Sequence, residues 1–207
     1  IRCVGTLVDV TEQKKAEERL LHDAVHDNLT GLPNRELFMN RLEGMIAIAR
    51  SEEKLRPTVF IVDIDRFKQV NDGLGISAGD TILLTVARRL HRLLKPRDAL
   101  SRFSGDQFAM MILSEQEPGR IAAIADAVKQ AIRAPITFAK RDIVLTASMG
   151  LLTWTDTHMT AEDMVKDAEL AMYQAKRFGG DRIEPFRPAF RSIGTDRLQL
   201  ESDLRRA

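Results

Sequence analysis

Two apolar patterns alternate along this chain. Short runs rich in β-branched and aromatic residues predict strands at residues 59–62, 99–103, 108–113, 136–139, 142–154 and 182–186. Apolar residues that recur every three or four positions predict helices at residues 34–50, 80–94, 118–133 and 160–178. Asn34 and Thr160 are suited to cap the first and last of these helices. The pattern predicts an α+β fold, in which a mainly antiparallel sheet carries helices on its faces.

The stretch at residues 58–80 is the centre of this organisation. Its apolar run predicts a strand buried on both faces, and Asp63 and Asp65 stand at the end of that strand. Side chains two positions apart leave the same face of a strand, about 7 Å from one another. We then expect a short helix with an apolar face, a break at three glycines and a second helix that begins near Asp80. The apolar face consists of Phe67, Val70 and Leu74, and the glycines are Gly73, Gly75 and Gly79.

The two carboxylates leave two interpretations open. Followed closely by Lys68, they suit a hard cation that bridges to phosphate groups. The same residues also fit aspartates that simply form a solvated turn after a strand.

Composition narrows the classes of function. With 31 basic and 30 acidic side chains, the charge balance gives no reason to expect nucleic-acid binding. The longest apolar run, at residues 108–113, is far too short to cross a membrane. The single Cys3 cannot form an internal disulfide, which predicts a reducing, cytoplasmic compartment. We expect one domain with extensions, and the start at Ile1 rather than Met predicts a piece of a longer protein that could be membrane-anchored elsewhere.

The two ends of the chain have patterns of their own. Residues 1–10 predict a terminal strand that belongs mostly to an upstream domain. Residues 11–26 predict a charged helix with a narrow apolar stripe, which fits either a two-helix coiled coil or a lone solvated linker helix. From about Pro188 onward the sequence predicts a charged helical tail.

Four motifs give the chain a family resemblance. They are DNLTGLPNR at residues 27–35, VDIDRFKQVND with GISAGD at residues 62–80, RFSGDQF at residues 102–108 and DAELAMYQAK at residues 167–176. In this order and spacing the chain resembles the GGDEF family of bacterial diguanylate cyclases over residues 27–186. The resemblance implies a sheet of the nucleotide-cyclase or polymerase-palm type. Residues 1–10 resemble the end of a PAS sensor domain, residues 11–26 a signalling helix, and residues 187–207 a connector toward an EAL phosphodiesterase domain.

The resemblance also implies a reaction. A diguanylate cyclase joins two GTP molecules into cyclic di-GMP, with each 3′-hydroxyl attacking the α-phosphate of the other nucleotide. Each domain binds one GTP, so the reaction needs two domains face to face. The implied ligand is GTP with Mg²⁺ or Mn²⁺. The implied partners are a second copy, meeting through the linker helix and the signature face, and covalently linked sensor and phosphodiesterase domains.

The resemblance assigns individual residues to metal and phosphate. Asp63 would bind the metal through its side chain, Ile64 through its backbone carbonyl, and Asp106 from the signature hairpin. Lys68 and Lys176 match the lysines of the family that contact phosphate. Considered without the family, both lysines are better explained as solvated charges on helix surfaces.

Asn71 and Asp80 match the pair that recognises guanine in the family. A carboxylate can accept hydrogen bonds from both N1–H and the 2-amino group of guanine, and an amide beside it can donate and accept. Adenine does not offer two donors in that arrangement. The alternative for Asp80 is a helix N-cap.

The signature departs from the family at two positions, and Ser104-Gly105-Asp106-Gln107-Phe108 stands where Gly-Gly-Asp/Glu-Glu-Phe is usual. If the first position requires a backbone conformation that only glycine tolerates, Ser104 costs about 1–2 kcal/mol and crowds the nucleotide. Gln107 removes a carboxylate beside the reacting phosphate. Two further departures are Ile76, where histidine is frequent, and Gly180, where a phosphate-binding arginine is expected after Lys176.

The family also has an inhibitory product site upstream of the signature, with the motif Arg-x-x-Asp. Here Lys95 replaces the arginine and Asp98 is retained. Lysine cannot provide the planar, bidentate fork of arginine, so the site is expected to be degenerate. Asp98 is also explained as an ordinary charge in the loop that leaves a helix.

Three hypotheses follow for the domain. The first is a regulatory module that binds GTP and Mg²⁺, turns GTP over slowly or not at all, and controls a linked phosphodiesterase. The second is a working diguanylate cyclase that tolerates Ser104 and Gln107. The third is a structural dimeriser that binds no nucleotide. In the first two, the residues nearest the chemistry are Asp106, Lys68 and Gln107, and Ser104 and Gly105 lie against the substrate.

Overall fold

The computed structural model describes residues 11, 12, 14, 22–52, 54–158 and 160–191. The predicted strand at residues 1–10 and most of the tail after Pro188 lie outside the described residues. Of the predicted helix at residues 11–26, the described positions 11, 12, 14 and 22–25 are helical. None of the described helices is both long enough and apolar enough to cross a membrane.

Seven strands and five helices follow one another over residues 35–185. The strands are β1 (Thr58–Ile64), β2 (Ala99–Ser104), β3 (Gln107–Ile112), β4 (Ile136–Phe138), β5 (Arg141–Ile143), β6 (Ala147–Thr153) and β7 (Ile183–Pro185). The helices are α1 (Arg35–Ala49), α2 (Phe67–Leu74), α3 (Ile76–His91), α4 (Pro118–Arg133) and α5 (Ala161–Arg177). Asn34 caps α1 by accepting from Leu37 N, and Thr160 forms a capping box with Asp163 at the start of α5.

The main sheet has the strand order β2-β3-β1-β6-β7, with β1 at its centre. The β1 strand pairs antiparallel with both β3 and β6, and only β7 runs parallel to its neighbour. All seven residues of β1 are buried, as the continuous apolar run predicted. The predicted α+β fold with a mainly antiparallel sheet is therefore confirmed.

The alternation of side chains along β1 divides the core into two layers. Phe60, Val62 and Ile64 pack with the apolar residues of α3 and α4 on one face. Val59 and Ile61 pack with those of α1 and α5 on the other face. Asp63 follows the same alternation, so its side chain leaves the sheet on the α5 side. The period of the strand thus decides which helix can reach this carboxylate.

Helix α5 lies unusually close to β6. A Cβ built on Gly150 of β6 would come within 2.1 Å of the Ala168 carbonyl oxygen and 2.2 Å of the Met172 nitrogen. No side chain fits in that space without moving the α5 backbone. Gly150 therefore allows the helix to pack directly on the sheet, beside the strand that carries Asp63.

The break between α2 and α3 differs from the expectation. Gly73 is inside α2, and α3 begins at Ile76 rather than near Asp80. Gly79 lies inside α3, where a Cβ would come within 1.9 Å of Asn71 Oδ1 and 3.1 Å of the Phe67 ring. It is therefore a packing glycine that lets α2 approach α3, and not a helix breaker. The predicted apolar face of α2 is also shorter, since Leu74 is 41% exposed.

The single strand predicted at residues 142–154 is divided in two. β5 pairs with β4 as a separate hairpin, and β6 joins the main sheet beside β1. The separation occurs around Thr146, whose carbonyl accepts from Asp65 N and whose hydroxyl donates to Asp65 Oδ2. These bonds tie the chain before β6 to the loop after β1, which the apolar pattern alone did not reveal.

The chain after β7 packs back against the domain. Phe190 is buried, and Arg191 Nε donates to Asp167 Oδ1 at 2.9 Å. A second guanidinium nitrogen of Arg191 pairs with the other oxygen of Asp167, and His158 Nε2 lies 3.2 Å from that oxygen. Asp167 is buried, so these partners balance its charge. The packed structure therefore continues to Arg191.

Candidate functional site

Asp63 is a buried carboxylate at the C-terminal end of the central strand. Its side chain is 12% exposed, and Lys176 Nζ, from the last turn of α5, lies 2.6 Å from Oδ1. This contact is an ion pair without good hydrogen-bond geometry, and no other donor among the described residues reaches Oδ1. Burial raises the pKa of the Asp63 carboxyl above its usual 3.8, and the carboxylates of Asp106 and Asp65 raise it further, whereas the Lys176 ammonium opposes the rise. The fold thus holds a buried carboxylate whose charge is balanced by a cation, the Lys176 ammonium.

Asp106 is brought to Asp63 by the β2–β3 hairpin. Its backbone oxygen accepts from Ile64 N at 3.3 Å, which fixes the tip of the hairpin against the end of β1. The three positions that the resemblance assigns to metal, Asp63, Ile64 and Asp106, therefore lie together. No group of three His, Cys, Asp or Glu side chains suited to a metal occurs in the described part of the chain. Two carboxylates and a backbone carbonyl fit a hard cation such as Mg²⁺ when nucleotide phosphates and water supply the remaining oxygen ligands.

The hairpin places Gln107 directly across from Asp63 in the register of β1 and β3. Residues opposite one another in an antiparallel pair project from the same face, with Cβ atoms about 5 Å apart. Gln107 is therefore an immediate neighbour of the candidate metal carboxylate. A glutamate at this position would add a third carboxylate to Asp63 and Asp106.

The expected strain at Ser104 is not present. The φ of Ser104 is outside the left-handed region, whereas Gly105 has φ 49°. The turn places its positive φ on Gly105, the first of its two central residues, which is the position where a tight hairpin turn of type II′ requires it. Ser104 is exposed at the end of β2. Its predicted backbone cost is therefore wrong, and only crowding by its hydroxymethyl group remains as an effect on a nucleotide.

Arg102 anchors this hairpin, a role that the sequence analysis missed. Its Nε and Nη2 donate to the Gly105 carbonyl at 2.9 and 2.7 Å, and its Nη1 donates to both oxygens of Asp27 at 2.9 and 3.0 Å. Asp27 also accepts from the backbone and hydroxyl of Thr30. The first and third family motifs are therefore joined by one partly buried ion pair. Its partners are 75 residues apart in sequence, and spacing gave no signal of this contact.

Asp65 has a structural role. Its Oδ1 accepts from the Ser148 hydroxyl at 2.7 Å, and its Oδ2 accepts from the Thr146 hydroxyl at 2.7 Å and from Asp181 N at 2.9 Å. The Asp65 carboxylate acts on Asp63 through space, but both of its own oxygens are already occupied by hydrogen bonds. Gly180 contributes to this arrangement, because a Cβ there would lie 3.2–3.3 Å from the Asp65 carboxylate and its φ is +74°. An arginine at position 180 would be strained.

The candidate guanine pair lies where α2 meets α3. Asn71 Oδ1 is buried without a hydrogen-bond partner in the described residues, beside Gly79. Asp80 follows Gly79 and is half-buried. It is not a helix N-cap, because Gly75 occupies that position of α3. A buried, unpaired acceptor next to a carboxylate fits a ligand that supplies donors.

The remaining predicted residues are placed on the surface near this region. Lys68 is exposed on α2, and Ile76 is 74% exposed at the start of α3. A cleft of about 820 Å³, large enough for a nucleotide, opens beside Lys176, Asp65 and Gly180. Asn71, Asp80, Asp63 and Asp106 are not among its lining residues. Of the residues predicted to contact phosphate, metal or guanine, only Lys176 lines this cleft.

Both oxygens of the Asp98 carboxylate accept hydrogen bonds, from its own loop and from the chain that follows β3. Oδ1 accepts from the backbones of Leu113 and Ser114, and Oδ2 accepts from Lys95 N and the Ser114 hydroxyl, at 2.7–3.0 Å. Burial would raise the pKa of Asp98, but these hydrogen bonds outweigh it and hold the pKa below 3.8. The Lys95 ammonium lies 3.4 Å from Glu115. Asp98 is therefore explained as a structural residue of the loop.

We expect cyclic di-GMP to bind weakly or not at all at Lys95 and Asp98. The carboxylate is already satisfied, and Lys95 offers a point charge instead of a planar fork. Calorimetry with cyclic di-GMP on the unmutated chain measures this directly. Tight binding that is lost in Lys95→Ala would contradict the prediction. Asp98→Ala is a poor probe, because it removes four hydrogen bonds and destabilises the loop.

Replacing Asp63 by Asn should raise the free energy of unfolding of the metal-free domain at pH 7 by about 1–2 kcal/mol. The Lys176 side chain is 39% exposed, so its ammonium can return to water when its partner is neutral. Because the folded pKa of Asp63 is raised, its ionised form opposes folding above that pKa. The advantage of the Asp63→Asn variant should therefore shrink as the pH falls through the raised pKa toward 3.8, where both side chains become neutral. Thermal or urea unfolding in EDTA between about pH 3.5 and 8 checks this. The exposed Asp72→Asn is the control, and equal gains in both variants, or a gain independent of pH, would refute the expectation.

The chain is similar in sequence to known proteins over most of its length. Residues 24–182 match the family model described as "Diguanylate cyclase, GGDEF domain". The chain is 34% identical over 98% of its length to the bifunctional diguanylate cyclase/cyclic di-GMP phosphodiesterase MucR of Pseudomonas aeruginosa, and spans 29% of that protein. It is 32% identical to the cyclic di-GMP phosphodiesterase NbdA of the same species and spans 26% of it. The chain therefore spans less than a third of either of these relatives.

Solved structures show the same fold. The GGDEF domain of TpbB from Pseudomonas aeruginosa superposes with a TM-score of 0.76 and 32% identity, covering 82% of this chain and 99% of that one. The coiled coil and GGDEF domain of DgcB from Caulobacter crescentus, in complex with c-di-GMP, has a TM-score of 0.77 and 25% identity. It covers 85% of this chain and 93% of the DgcB chain.

Proposed function

Because this chain belongs to the GGDEF family of diguanylate cyclase domains, we propose that it binds GTP with Mg²⁺ while its cyclase reaction is lost or very slow. The observation that carries this proposal is the position of Gln107 across the strand pair from Asp63. The candidate ligands for metal and guanine are intact, whereas Gln107 lies beside Asp63, a candidate metal ligand. Binding and turnover are thus affected unequally.

Each residue has a defined part in this proposal. Asp80 accepts from guanine N1–H and the 2-amino group, and the Asn71 amide, whose Oδ1 has no partner among the described residues, donates and accepts beside it. Lys68 and Lys176 contact phosphates, and Ser104 and Gly105 lie against the nucleotide. Mg²⁺ held by Asp63, Ile64 and Asp106 would neutralise phosphate charge and polarise the α-phosphate. Asp106 and Gln107 stand closest to the transferred group, and Gln107 cannot take up a proton there.

The proposal also includes a signalling role for the domain. We place it in cyclic di-GMP signalling, as a regulator of a phosphodiesterase linked to it in a longer protein. Support comes from MucR, whose name combines both activities, and from NbdA, a phosphodiesterase. GTP occupancy would then change the output of the linked domain. A second copy would approach through the linker helix and the face that carries the β2–β3 hairpin.

A working cyclase is the second candidate, and the unstrained backbone of Ser104 favours it, because one expected cause of inactivity is absent. An assay of the purified chain with labelled GTP and Mg²⁺ or Mn²⁺, run beside a binding titration, separates the candidates. Binding without formation of cyclic di-GMP supports the regulatory module. Turnover supports the cyclase. Neither binding nor turnover would leave the structural dimeriser.

A further inference from the structure

Lys176 and Asp63 differ in their freedom to move. Asp63 is fixed on the central strand with its side chain 12% exposed, whereas the Lys176 side chain is 39% exposed at the end of α5. The ammonium nevertheless lies 2.6 Å from Oδ1, an oxygen that no hydrogen bond with good geometry satisfies in the described residues. An ammonium on a flexible four-carbon stem can leave such a position, but the carboxylate cannot.

We propose that Lys176 is a resident counter-ion of this site, occupying the cation position beside Asp63 until a divalent metal replaces it. The inference rests on the proposed GTP and metal function and adds a regulation of the same site. A divalent cation and an ammonium repel one another at this range, so both cannot approach the same buried oxygen. Metal entry therefore expels Lys176.

The released lysine does not move far from the substrate. Lys176 also lines the large cleft beside Asp65 and Gly180. Under the proposed function, its released ammonium contacts a nucleotide phosphate. A nucleotide that brings both metal and phosphate supplies two partners at once, the metal for Asp63 and the phosphate for Lys176. Metal alone supplies only the first and must displace a lysine that has no better partner. Metal binding is therefore weak without nucleotide and strong with it, which limits occupancy by free metal.

The test is Mn²⁺ binding to the nucleotide-free chain, followed by electron paramagnetic resonance. Lys176→Gln removes the competing cation and should bind Mn²⁺ about fivefold tighter or more than the unmutated chain. Lys176→Arg keeps a cation and should remain near the unmutated affinity. Arg177→Gln removes a neighbouring exposed charge and serves as the control. It should leave Mn²⁺ affinity within about twofold, because an exposed charge is screened at about 0.15 M salt.

Thermal unfolding supplies a second readout. Without metal, Lys176→Gln should have a lower melting temperature than the unmutated chain, because Asp63 loses its counter-ion. Added Mn²⁺ should raise the melting temperature of Lys176→Gln more than that of the unmutated chain. Equal Mn²⁺ affinity in Lys176→Gln and the unmutated chain, weaker affinity in the variant, or no binding to either would overturn the proposal. The proposed function has a separate measure in nucleotide affinity, so GTP binding that persists beside any of these results would leave that function standing.

Discussion

Replacing Gln107 by Glu is expected to increase the rate of cyclic di-GMP formation about 100-fold or more, from near zero. The new carboxylate would stand across from Asp63 and near Asp106, where it can accept a proton and bind charge that develops in the transition state. Such an interaction is stronger in the transition state than in the ground state, so the rate should rise with little change in GTP affinity at saturating Mg²⁺. The measurement is product formation from labelled GTP at high protein concentration, which favours the meeting of two domains.

Ser104→Gly is the matched variant for this experiment. Because Ser104 has no left-handed backbone conformation, removing its Cβ should change GTP affinity and turnover by less than about threefold. The double variant should then resemble Gln107→Glu. If Gln107→Glu binds GTP but forms no cyclic di-GMP, the hairpin is not the main lesion, and Ile76 and Gly180 become the next candidates. A large gain from Ser104→Gly alone would contradict the structural account of the turn.

Replacing Asp80 by Ala should weaken GTP binding by about 1–3 kcal/mol, roughly 5- to 150-fold in Kd. The carboxylate is half-buried and not used as a helix cap, so it is available to the guanine edge. Its removal leaves two guanine donors without an acceptor in a partly dry site. ATP affinity should not fall, since adenine does not present these donors.

Asp72→Ala is the control for the Asp80 variant, because Asp72 is an exposed acid on α2, next to Asn71. It should leave the affinity for both nucleotides unchanged within about twofold. Isothermal titration with GTP and ATP at constant Mg²⁺ provides the numbers. Equal losses of GTP and ATP affinity in Asp80→Ala would show that the residue acts on the fold or on general charge, and not on base recognition.

The apolar pattern predicted the helices and strands well where burial decides them. The central strand, the hairpin around Gly105 and the capped helix α5 follow from local sequence, because each depends on side-chain period or on turn and cap chemistry within a few residues. Gly79 was misjudged since its role is set by Asn71 on a different helix. A glycine that admits a neighbour cannot be distinguished in sequence from one that ends a helix.

At the candidate site, too, contacts between residues distant in sequence could not be predicted. The motifs identified Asp63, Asp106, Asn71 and Asp80, and the structure brings them to the end of β1 and to the contact of α2 with α3. The hydrogen bonds of Asp65, the anchoring of the hairpin by Arg102, and the ion pair of Lys176 with Asp63 all join residues that are distant in sequence. Such contacts depend on the order of strands in the sheet, which a single sequence does not specify.

The most direct test of the central claim is a comparison of GTP and ATP binding to the unmutated chain in Mg²⁺, with product formation followed in the same samples. We expect GTP to bind about tenfold tighter or more than ATP, EDTA to remove most of this affinity, and cyclic di-GMP to stay near the detection limit. Equal affinity for the two nucleotides, or GTP affinity that is unaffected by EDTA, would contradict it.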